Sequence, residues 1–244
     1  MRGMSEKTRG MFSVVIPTLQ RAGELQELVE RCAAHSIVLE VLVINNAPAP
    51  LAWEYPKVRV LQQAENIYVN PAWNLGAREA RGEYLAIVND DVLFDTSLFN
   101  RAARWLRLPF VGIVGPDPSC FTASSGDRVW FRPVYSRRYG YGTCMLMRRD
   151  RYVPIPEEML IYAGDDWLFT RQCRRNWTFG GFPIATDMAV TSGAPEFSPV
   201  SRADLDAYAR HGAGDYRGRF AREERLVAAA SRAARVVKAR ARAS

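Results

Sequence analysis

The sequence predicts an α/β fold in which helices cover both faces of a mostly parallel sheet. Short β-branched apolar segments alternate, through the first half of the chain, with segments whose apolar residues recur at helical spacing. Strands that are joined through helices run parallel and are buried on both faces. The chain has 244 residues, 48% of them apolar and 24% charged, which is sufficient for one α/β domain with a full core.

The first half of the chain predicts strands and helices in alternation. The predicted strands are residues 12–17, 38–44, 58–61 and 83–88, and the predicted helices are residues 24–34 and 71–80. In the first helix Leu25, Leu28 and Cys32 recur at helical spacing. Pro71 begins the second helix, where its missing N–H costs no hydrogen bond.

The second half of the chain is less regular. It predicts helices at 95–108 and 165–176, strands at 111–114 and 144–147, and loops with short strands at 117–140. From residue 203 onward the chain is rich in Ala and Arg, which favours helix. We therefore predict an α/β domain over residues 11–200 and a basic helical extension over residues 201–244.

Positive charge is concentrated in the extension. The net charge of the chain is +7 and its pI is about 9.5, while residues 217–244 contain nine basic and two acidic residues. The rest of the chain is therefore nearly neutral. Three interpretations stay open: a solvated helix packed on the domain, a basic helix on an anionic membrane, or a contact with nucleic acid.

Targeting and redox features predict a cytoplasmic protein, with a peripheral position at a membrane or nucleic acid as the alternative. No apolar segment approaches the roughly 20 residues that span a bilayer, and the N-terminus lacks the apolar core of a signal peptide. The four cysteines have no spacing typical of a metal site, which favours reduced thiols.

Polar residues follow three of the predicted strands. They are Thr18, the pair Asn45-Asn46 and the triplet Asn89-Asp90-Asp91. In open parallel sheets, ligands bind beyond the carboxyl ends of the strands. Two adjacent carboxylates there resist burial unless a cation joins them, and Mg²⁺ and Mn²⁺ favour one or two carboxylates with substrate phosphates. A turn or helix cap is the alternative interpretation.

Several segments in this order resemble the family 2 glycosyltransferases of the GT-A fold. They are FSVVIPTLQR, EVLVINN, NIYVNPAWNLGAREARGEYLAIVNDDV, GTCMLMRRD and IYAGDDWLFTRQCRRNW. The resemblance covers most of residues 12–192 and is most specific from Asn66 to Val92. It implies a GT-A-like, Rossmann-like domain that moves a sugar from a nucleotide diphosphate sugar to an acceptor hydroxyl.

The resemblance also implies roles for residues on the donor side. It assigns the nucleotide sugar to Pro17, Thr18, Arg21, Asn45, Asn66, Asn74 and Asp90. Asp91 would hold Mn²⁺ or Mg²⁺, which bridges the diphosphate of a UDP-, GDP- or dTDP-linked donor. Many members add a late histidine as a metal ligand, and the matching segment ATDMAVTSGAPEF has none. Metal binding would then depend on Asp91, phosphates and water.

On the acceptor side, the resemblance makes Asp166 the general base and Asp165 its acidic neighbour. One displacement with Asp166 as base implies inversion at the anomeric carbon. An acid pair stabilised by a helix dipole is the alternative interpretation of these two residues. Trp167 and Gly142 are predicted to lie beside the acceptor. Arg137 and Arg138 are interpreted as a solvated turn, with a phosphate clamp as the alternative.

The acceptor class stays open at this stage: a lipid-linked intermediate, a polysaccharide, a protein and a modified nucleic acid all carry suitable hydroxyls. Two other functions compete with sugar transfer. One is a nucleotidyltransferase of similar architecture, because a fold does not determine a reaction. The other is a non-catalytic protein that binds nucleic acid or an anionic surface through the basic extension.

Overall fold

A computed structural model describes residues 8–122, 128–186 and 198–212, together with residues 223, 225, 226, 229, 230 and 232. The strands within these residues are β1 (Phe12–Thr18), β2 (Val38–Asn45), β3 (Val58–Gln62), β4 (Tyr84–Val88), β5 (Val92–Phe94), β6 (Val111–Pro116), β7 (Trp130–Val134), β8 (Cys144–Arg148), β9 (Arg175–Gly180) and β10 (Ile184–Thr186). The α-helices are α1 (Leu25–Ala34), α2 (Val69–Glu79), α3 (Leu98–Leu106), α4 (Gly164–Thr170) and α5 (Ser198–Arg210).

Eight strands form one sheet in the order β3-β2-β1-β4-β8-β6-β9-β7. The first four are parallel to one another, and β6 is parallel to β9. Only β8 and β7 run antiparallel to their neighbours. Strands β5 and β10 form a separate antiparallel pair. The predicted mostly parallel α/β fold is therefore confirmed.

The core lies on both faces of this sheet. Along β1, Val14 and Ile16 pack in one apolar cluster with residues of α1 and α3. Val15 points to the opposite face and packs in a second cluster with residues of α2 and α4. This alternation follows from the two-residue repeat of a strand. It explains why β1 is apolar from Val14 to Pro17 and buried throughout.

The helix predicted over residues 165–176 is wrong in its second half. Helix α4 ends at Thr170, and β9 begins at Arg175 and pairs with β6 and β7. The fully buried Asn176 accepts a hydrogen bond from the Ile113 N–H and donates one to the Phe169 carbonyl. These distant partners outweigh local helix propensity. Strands β5 and β10 were likewise not predicted.

Helix α5 crosses the boundary that we predicted at residue 200. Its Asp204 is fully buried and accepts hydrogen bonds from the backbone N–H groups of Leu160, Ile161 and Tyr162, at 2.9, 2.7 and 2.7 Å. Ala207 of α5 is also fully buried. Residues 201–210 therefore pack on the domain and hold the segment that leads into α4.

Most of the basic extension lies outside the described residues, so its function stays a prediction. Among its described residues, Leu226 is exposed and Glu223 forms an ion pair with Arg175. No helix in the described part of the chain is both long enough and apolar enough to cross a bilayer. All four cysteines are free thiols, three of them buried.

Candidate active site

A cavity of about 430 Å³ opens where β1 and β4 end. One wall consists of residues at and after these strand ends: Pro17, Thr18, Leu19, Asn89, Asp90 and Asp91. Another part of the lining comes from the segments around Gly142 and from the start of α4. The loops diverge at this edge of the sheet because successive crossover helices lie on opposite faces.

Asp90 is held against the first wall by the end of β1. Its Oδ2 accepts a 2.6 Å hydrogen bond from the Thr18 hydroxyl, and that hydroxyl oxygen accepts one from the Gln20 N–H at 2.8 Å. Burial raises the pKa of Asp90, and the Thr18 hydrogen bond opposes this effect. Thr18 therefore orients a carboxylate that is largely buried.

Asp91 carries an unsatisfied oxygen. Its Oδ2 accepts a 3.2 Å hydrogen bond from the Thr186 hydroxyl, while its Oδ1 is buried and makes no hydrogen bond in the described residues. Burial first, and then the neighbouring Asp90, raise the pKa of Asp91 to about 6. A cation on this carboxylate would stabilise its ionised form.

The residues present fit a divalent cation that receives few protein ligands. No cluster of three or more His, Cys, Asp or Glu in the described part of the chain is arranged to hold a metal. Asp91, with its unpartnered oxygen, would supply the protein ligand, and phosphates and water the remainder. The segment ATDMAVTSGAPEF, which matches the position of the late histidine of many family members but contains none, continues from β10 into residues 187–197, which lie outside the described residues.

A second acid pair lies at the start of α4. Asp165 and Asp166 both line the cavity, and their side chains are 21% and 33% exposed. Arg137 contacts both, with 3.2 Å from Nη1 to Asp165 Oδ2 and 2.6 Å from Nε to Asp166 Oδ1. Burial raises the pKa of Asp165 to about 6, although Arg137 opposes that shift.

The starts of α2 and α4 are packed directly against each other. Asn70 of α2 donates to the Tyr162 carbonyl, and a Cβ on Gly164 would lie 1.9 Å from Asn70 Oδ1. Only glycine fits at position 164. The residues before the two helices, Tyr68 and Ala163, have φ of 66° and 57°, and both line the cavity. Such backbone angles are costly and cluster at functional sites.

Most of the predicted site residues line this one cavity. They are Pro17, Thr18, Asn66, Asp90, Asp91, Gly142, Asp165 and Asp166. Asn45 and the exposed Arg21 lie outside the lining. The Asn45 amide N–H group donates to the Ala49 carbonyl and to Gln62, and its Oδ1 accepts from Gln20.

Asn74 and Trp167 also lie outside the lining, where they form hydrogen bonds within the protein. Asn74 donates to the Ile155 carbonyl and accepts from the Ile155 N–H and the Tyr152 hydroxyl. Trp167 is 8% exposed, and its indole N–H donates to the Pro154 carbonyl. The polar atoms of both side chains are therefore engaged within the protein rather than directed to the cavity.

Comparison with known protein families identifies the fold and the family. The sequence profile described as glycosyl transferase family 2 matches residues 13–172. The chain belongs to glycosyl transferase family 2. The matched range contains every residue predicted for the site and every residue that lines the cavity except Leu205. A search of curated protein sequences found no match.

Solved structures share the GT-A-like fold with this family 2 domain. They include S. aureus TarS with UDP, at 17% identity and a TM-score of 0.54 over 69% of this chain. PcManGT from Pyrobaculum calidifontis with GDP-Man and Mn²⁺ has 20% identity and a TM-score of 0.50 over 68%. GalNAc-T7 with UDP, GalNAc and Mn²⁺ has 9% identity and a TM-score of 0.53 over 72%.

The chain spans about half the length of the chains in these structures: 57% of TarS 1-349, 53% of PcManGT and 43% of GalNAc-T7. At such identities the similarity is one of fold. The family and the GT-A-like fold that the sequence predicted are confirmed.

Sequence reasoning missed two groups of this family 2 site. Thr186 reaches Asp91 from β10, which pairs with β5 through contacts that no local pattern reveals. Leu205 lines the cavity from α5, beyond the predicted domain boundary. Arg137 was singled out, but as a solvated turn or phosphate clamp rather than as a partner of the acid pair. The sequence offered one signal for this contact: two adjacent acids need a nearby cation, but no local pattern showed that Arg137 supplies it.

The raised pKa of Asp165 predicts a pH-dependent effect of Asp165→Asn on stability. The folded-state pKa, about 6, exceeds the value of about 3.9 for an unfolded Asp. The stability associated with protonated Asp165 is thus fully present below about pH 4 and is lost as pH rises through about 6. Asparagine mimics the protonated form at every pH. We expect Asp165→Asn to raise Tm by about 2–4 °C at pH 8 and to leave Tm unchanged near pH 4.

Calorimetric melting between pH 4 and pH 8 checks this expectation. Asp206→Asn, which changes an exposed acid on α5, controls for net charge. A lower Tm for Asp165→Asn than for the wild type at pH 8 would contradict the burial argument.

Proposed function

We propose that the protein transfers a sugar from a nucleotide diphosphate sugar to an acceptor hydroxyl with inversion, assisted by Mn²⁺ or Mg²⁺, with Asp166 as general base. One observation carries the proposal: two acid pairs from distant parts of the chain, Asp90-Asp91 after β4 and Asp165-Asp166 in α4, line a single cavity. One pair suits the donor diphosphate and its cation, and the other suits the acceptor.

The charge of the cavity supports a cation. Its lining contains four aspartates and, among the described residues, Arg137 as the one basic side chain. A diphosphate would enter an acidic site, and like charges within a few ångströms repel strongly in a partly buried environment. Asp91 would hold the cation, and the hydrogen bond from Thr186 would orient the Asp91 carboxylate. When bound, the cation neutralises the charge that develops on the departing diphosphate.

The remaining chemistry belongs to residues of the chain. Pro17, Thr18 and Asn66 would border the nucleotide, and Asp90, held by Thr18, would accept hydrogen bonds from ribose or sugar hydroxyls. As the acceptor oxygen attacks the anomeric carbon, Asp166 takes its proton. The bond between the anomeric carbon and the diphosphate oxygen breaks, and the nucleoside diphosphate leaves with the electron pair of that bond. A single displacement inverts the anomeric carbon.

A donor screen tests this function. The named neighbours carry UDP, UDP-GlcNAc or GDP-Man, so UDP- and GDP-sugars come first, followed by dTDP-sugars. A ligand at 100 times its Kd adds about 2.7 kcal/mol of stability, which a thermal-shift assay detects. We expect a shift that requires Mn²⁺ or Mg²⁺ and slow release of nucleoside diphosphate from the same donor. Release of pyrophosphate from a nucleoside triphosphate and sugar phosphate would instead establish a nucleotidyltransferase, and no metal-dependent nucleotide binding would refute the proposal.

Gly142 offers a test of the acceptor wall. A Cβ on this residue would lie 2.7 Å from Asp165 Oδ2 and 3.0 Å from Asp165 Cβ, so Gly142→Ala must displace the acid pair. Misplacement by about 1 Å can cost about 10²-fold in rate, and we expect transfer to fall by roughly that amount with donor affinity retained.

Gly23→Ala is the matched control for Gly142→Ala, because a Cβ on Gly23 meets no atom within 4 Å. Nucleoside diphosphate release and calorimetric melting separate loss of turnover from loss of fold. Wild-type turnover in Gly142→Ala would show that the acid pair does not need its observed position.

A further inference from the structure

The acid pair on the acceptor wall is held by one guanidinium group. Arg137 follows β7, whereas Asp165 and Asp166 lie in the first turn of α4, so the contact joins two segments that are distant in the sequence. Nη1 lies 3.2 Å from Asp165 Oδ2, and Nε lies 2.6 Å from Asp166 Oδ1. A planar guanidinium presents its donors in a fixed fork, so both carboxylates are oriented together.

The two acids are not held equally. Both oxygens of Asp165 have partners, because Oδ1 accepts from the Asp166 N–H at 3.0 Å and Oδ2 meets Arg137. Asp166 uses only Oδ1, and its Oδ2 makes no hydrogen bond within the described residues. The side chain of Asp166 is also the more exposed of the two. Only Asp166 therefore has an oxygen available to an acceptor hydroxyl.

We propose that Arg137 is a positioning residue that selects the general base: it engages Asp165 through Oδ2, while Asp165 Oδ1 accepts from the Asp166 N–H, and it leaves only Asp166 Oδ2 to the acceptor. The proposal rests on the function proposed above. A proton received at Asp166 Oδ2 stays on the side away from Arg137, so the guanidinium need not move during the transfer. It also keeps a positive charge beside two adjacent carboxylates, which favours their ionised forms.

Few other charged groups affect the pair. Arg137 lowers the pKa of Asp165 and the adjacent Asp166 raises it. Tyr208 of α5 interacts electrostatically with both acids and with Arg171 at the end of α4. The Arg171 guanidinium stacks on the Trp167 ring, 4.4 Å from its centroid, and donates to the His211 carbonyl. Arg137 is thus the cation whose loss should change how Asp165 titrates.

Arg137→Gln and Arg137→Lys, measured over pH 5 to 9, test the proposal. Glutamine removes the charge and the fork, whereas lysine keeps the charge but cannot hold both carboxylates at once. Arg138→Gln is the matched control, because Arg138 is the exposed neighbour on the same segment and lies outside the cavity lining. Calorimetric melting establishes that each variant is folded.

For Arg137→Gln we expect kcat at pH 7 to fall by about 10- to 100-fold and the acidic limb of the kcat profile to move to higher pH, with donor KM changed less than about 3-fold. Arg137→Lys should keep the wild-type limb and lose only part of kcat. Arg138→Gln should match the wild type. A raised donor KM with unchanged kcat would overturn the proposal and make Arg137 a phosphate ligand. An unchanged pH profile in Arg137→Gln would overturn it as well.

A readout that does not depend on activity separates this proposal from the proposed function. Carbon-13 NMR follows the Asp165 carboxyl, assigned with Asp165→Asn. Because Arg137 lowers the pKa of Asp165, its midpoint should move to higher pH in Arg137→Gln and stay in place in Arg138→Gln. A midpoint that does not move refutes the Arg137 contact. Absence of transfer with every donor refutes the proposed function instead.

Discussion

Asp91→Asn is expected to abolish sugar transfer, with a loss of about 10³-fold or more, because the stabilisation that a bound cation supplies is worth several kcal/mol. The amide keeps the size of the carboxylate but loses its charge, so the cation between the side chain and the diphosphate is no longer held. Nucleotide binding should then become insensitive to Mn²⁺ and Mg²⁺.

The fold should not suffer from this change. Burial already disfavours the ionised form of Asp91, whose pKa is raised to about 6, so removal of its charge leaves the metal-free protein at least as stable near pH 7. The amide oxygen that the substitution introduces can still accept from the Thr186 hydroxyl, as Asp91 Oδ2 does.

Calorimetric titration of nucleoside diphosphate with and without Mn²⁺, followed by melting, measures both effects. Asp206→Asn on the surface of α5 is the charge-matched control. Full activity of Asp91→Asn at saturating donor would remove Asp91 from the proposed metal site.

Asp166→Asn is expected to cut turnover by about 10²-fold or more while donor affinity stays near the wild-type value. The asparagine still fits beside Arg137, but it cannot accept a proton from the acceptor hydroxyl at neutral pH. A loss in kcat without a change in donor KM is the pattern of an interaction used in the transition state.

Asp165→Asn is the comparison that tests the register of the acid pair. Asp165 is the more enclosed acid, and both of its oxygens are engaged by Arg137 and the Asp166 N–H. Its replacement should therefore disturb the orientation of Asp166 and reduce turnover less than Asp166→Asn does. If Asp165→Asn were the more damaging change, the two roles would be exchanged, and the proposed selection by Arg137 would fail with them.

The regular part of this chain was predictable from its local patterns. The predicted segments 12–17, 38–44 and 83–88 match β1, β2 and β4 to within one residue at each end. Their apolar segments are buried on both faces, which is why a simple run of β-branched residues was a sufficient signal. The helices α1 and α2 also begin and end close to the predicted positions, because their apolar spacing matches a single buried face.

Side-chain direction was not predictable in the same way. Asn74 and Trp167 lie in segments that the family profile matches, yet both point to partners in the protein, the Ile155 backbone and the Pro154 carbonyl. A motif places a residue near a site along the chain. Whether its polar atoms face the cavity depends on which distant groups can satisfy them, since buried polar groups nearly always find a partner.

The sequence by itself determined the α/β class, the family and the acids at the strand and helix ends, because these follow from short-range periodicity and from the order of motifs. Only the tertiary structure decided the environment of those acids. Thr186 meets Asp91 although the two are 95 positions apart, and Arg137 meets Asp166 across 29 positions. Burial raises the pKa of Asp91 and Asp165. Such contacts and desolvation arise only when separate elements pack together, which local sequence does not encode.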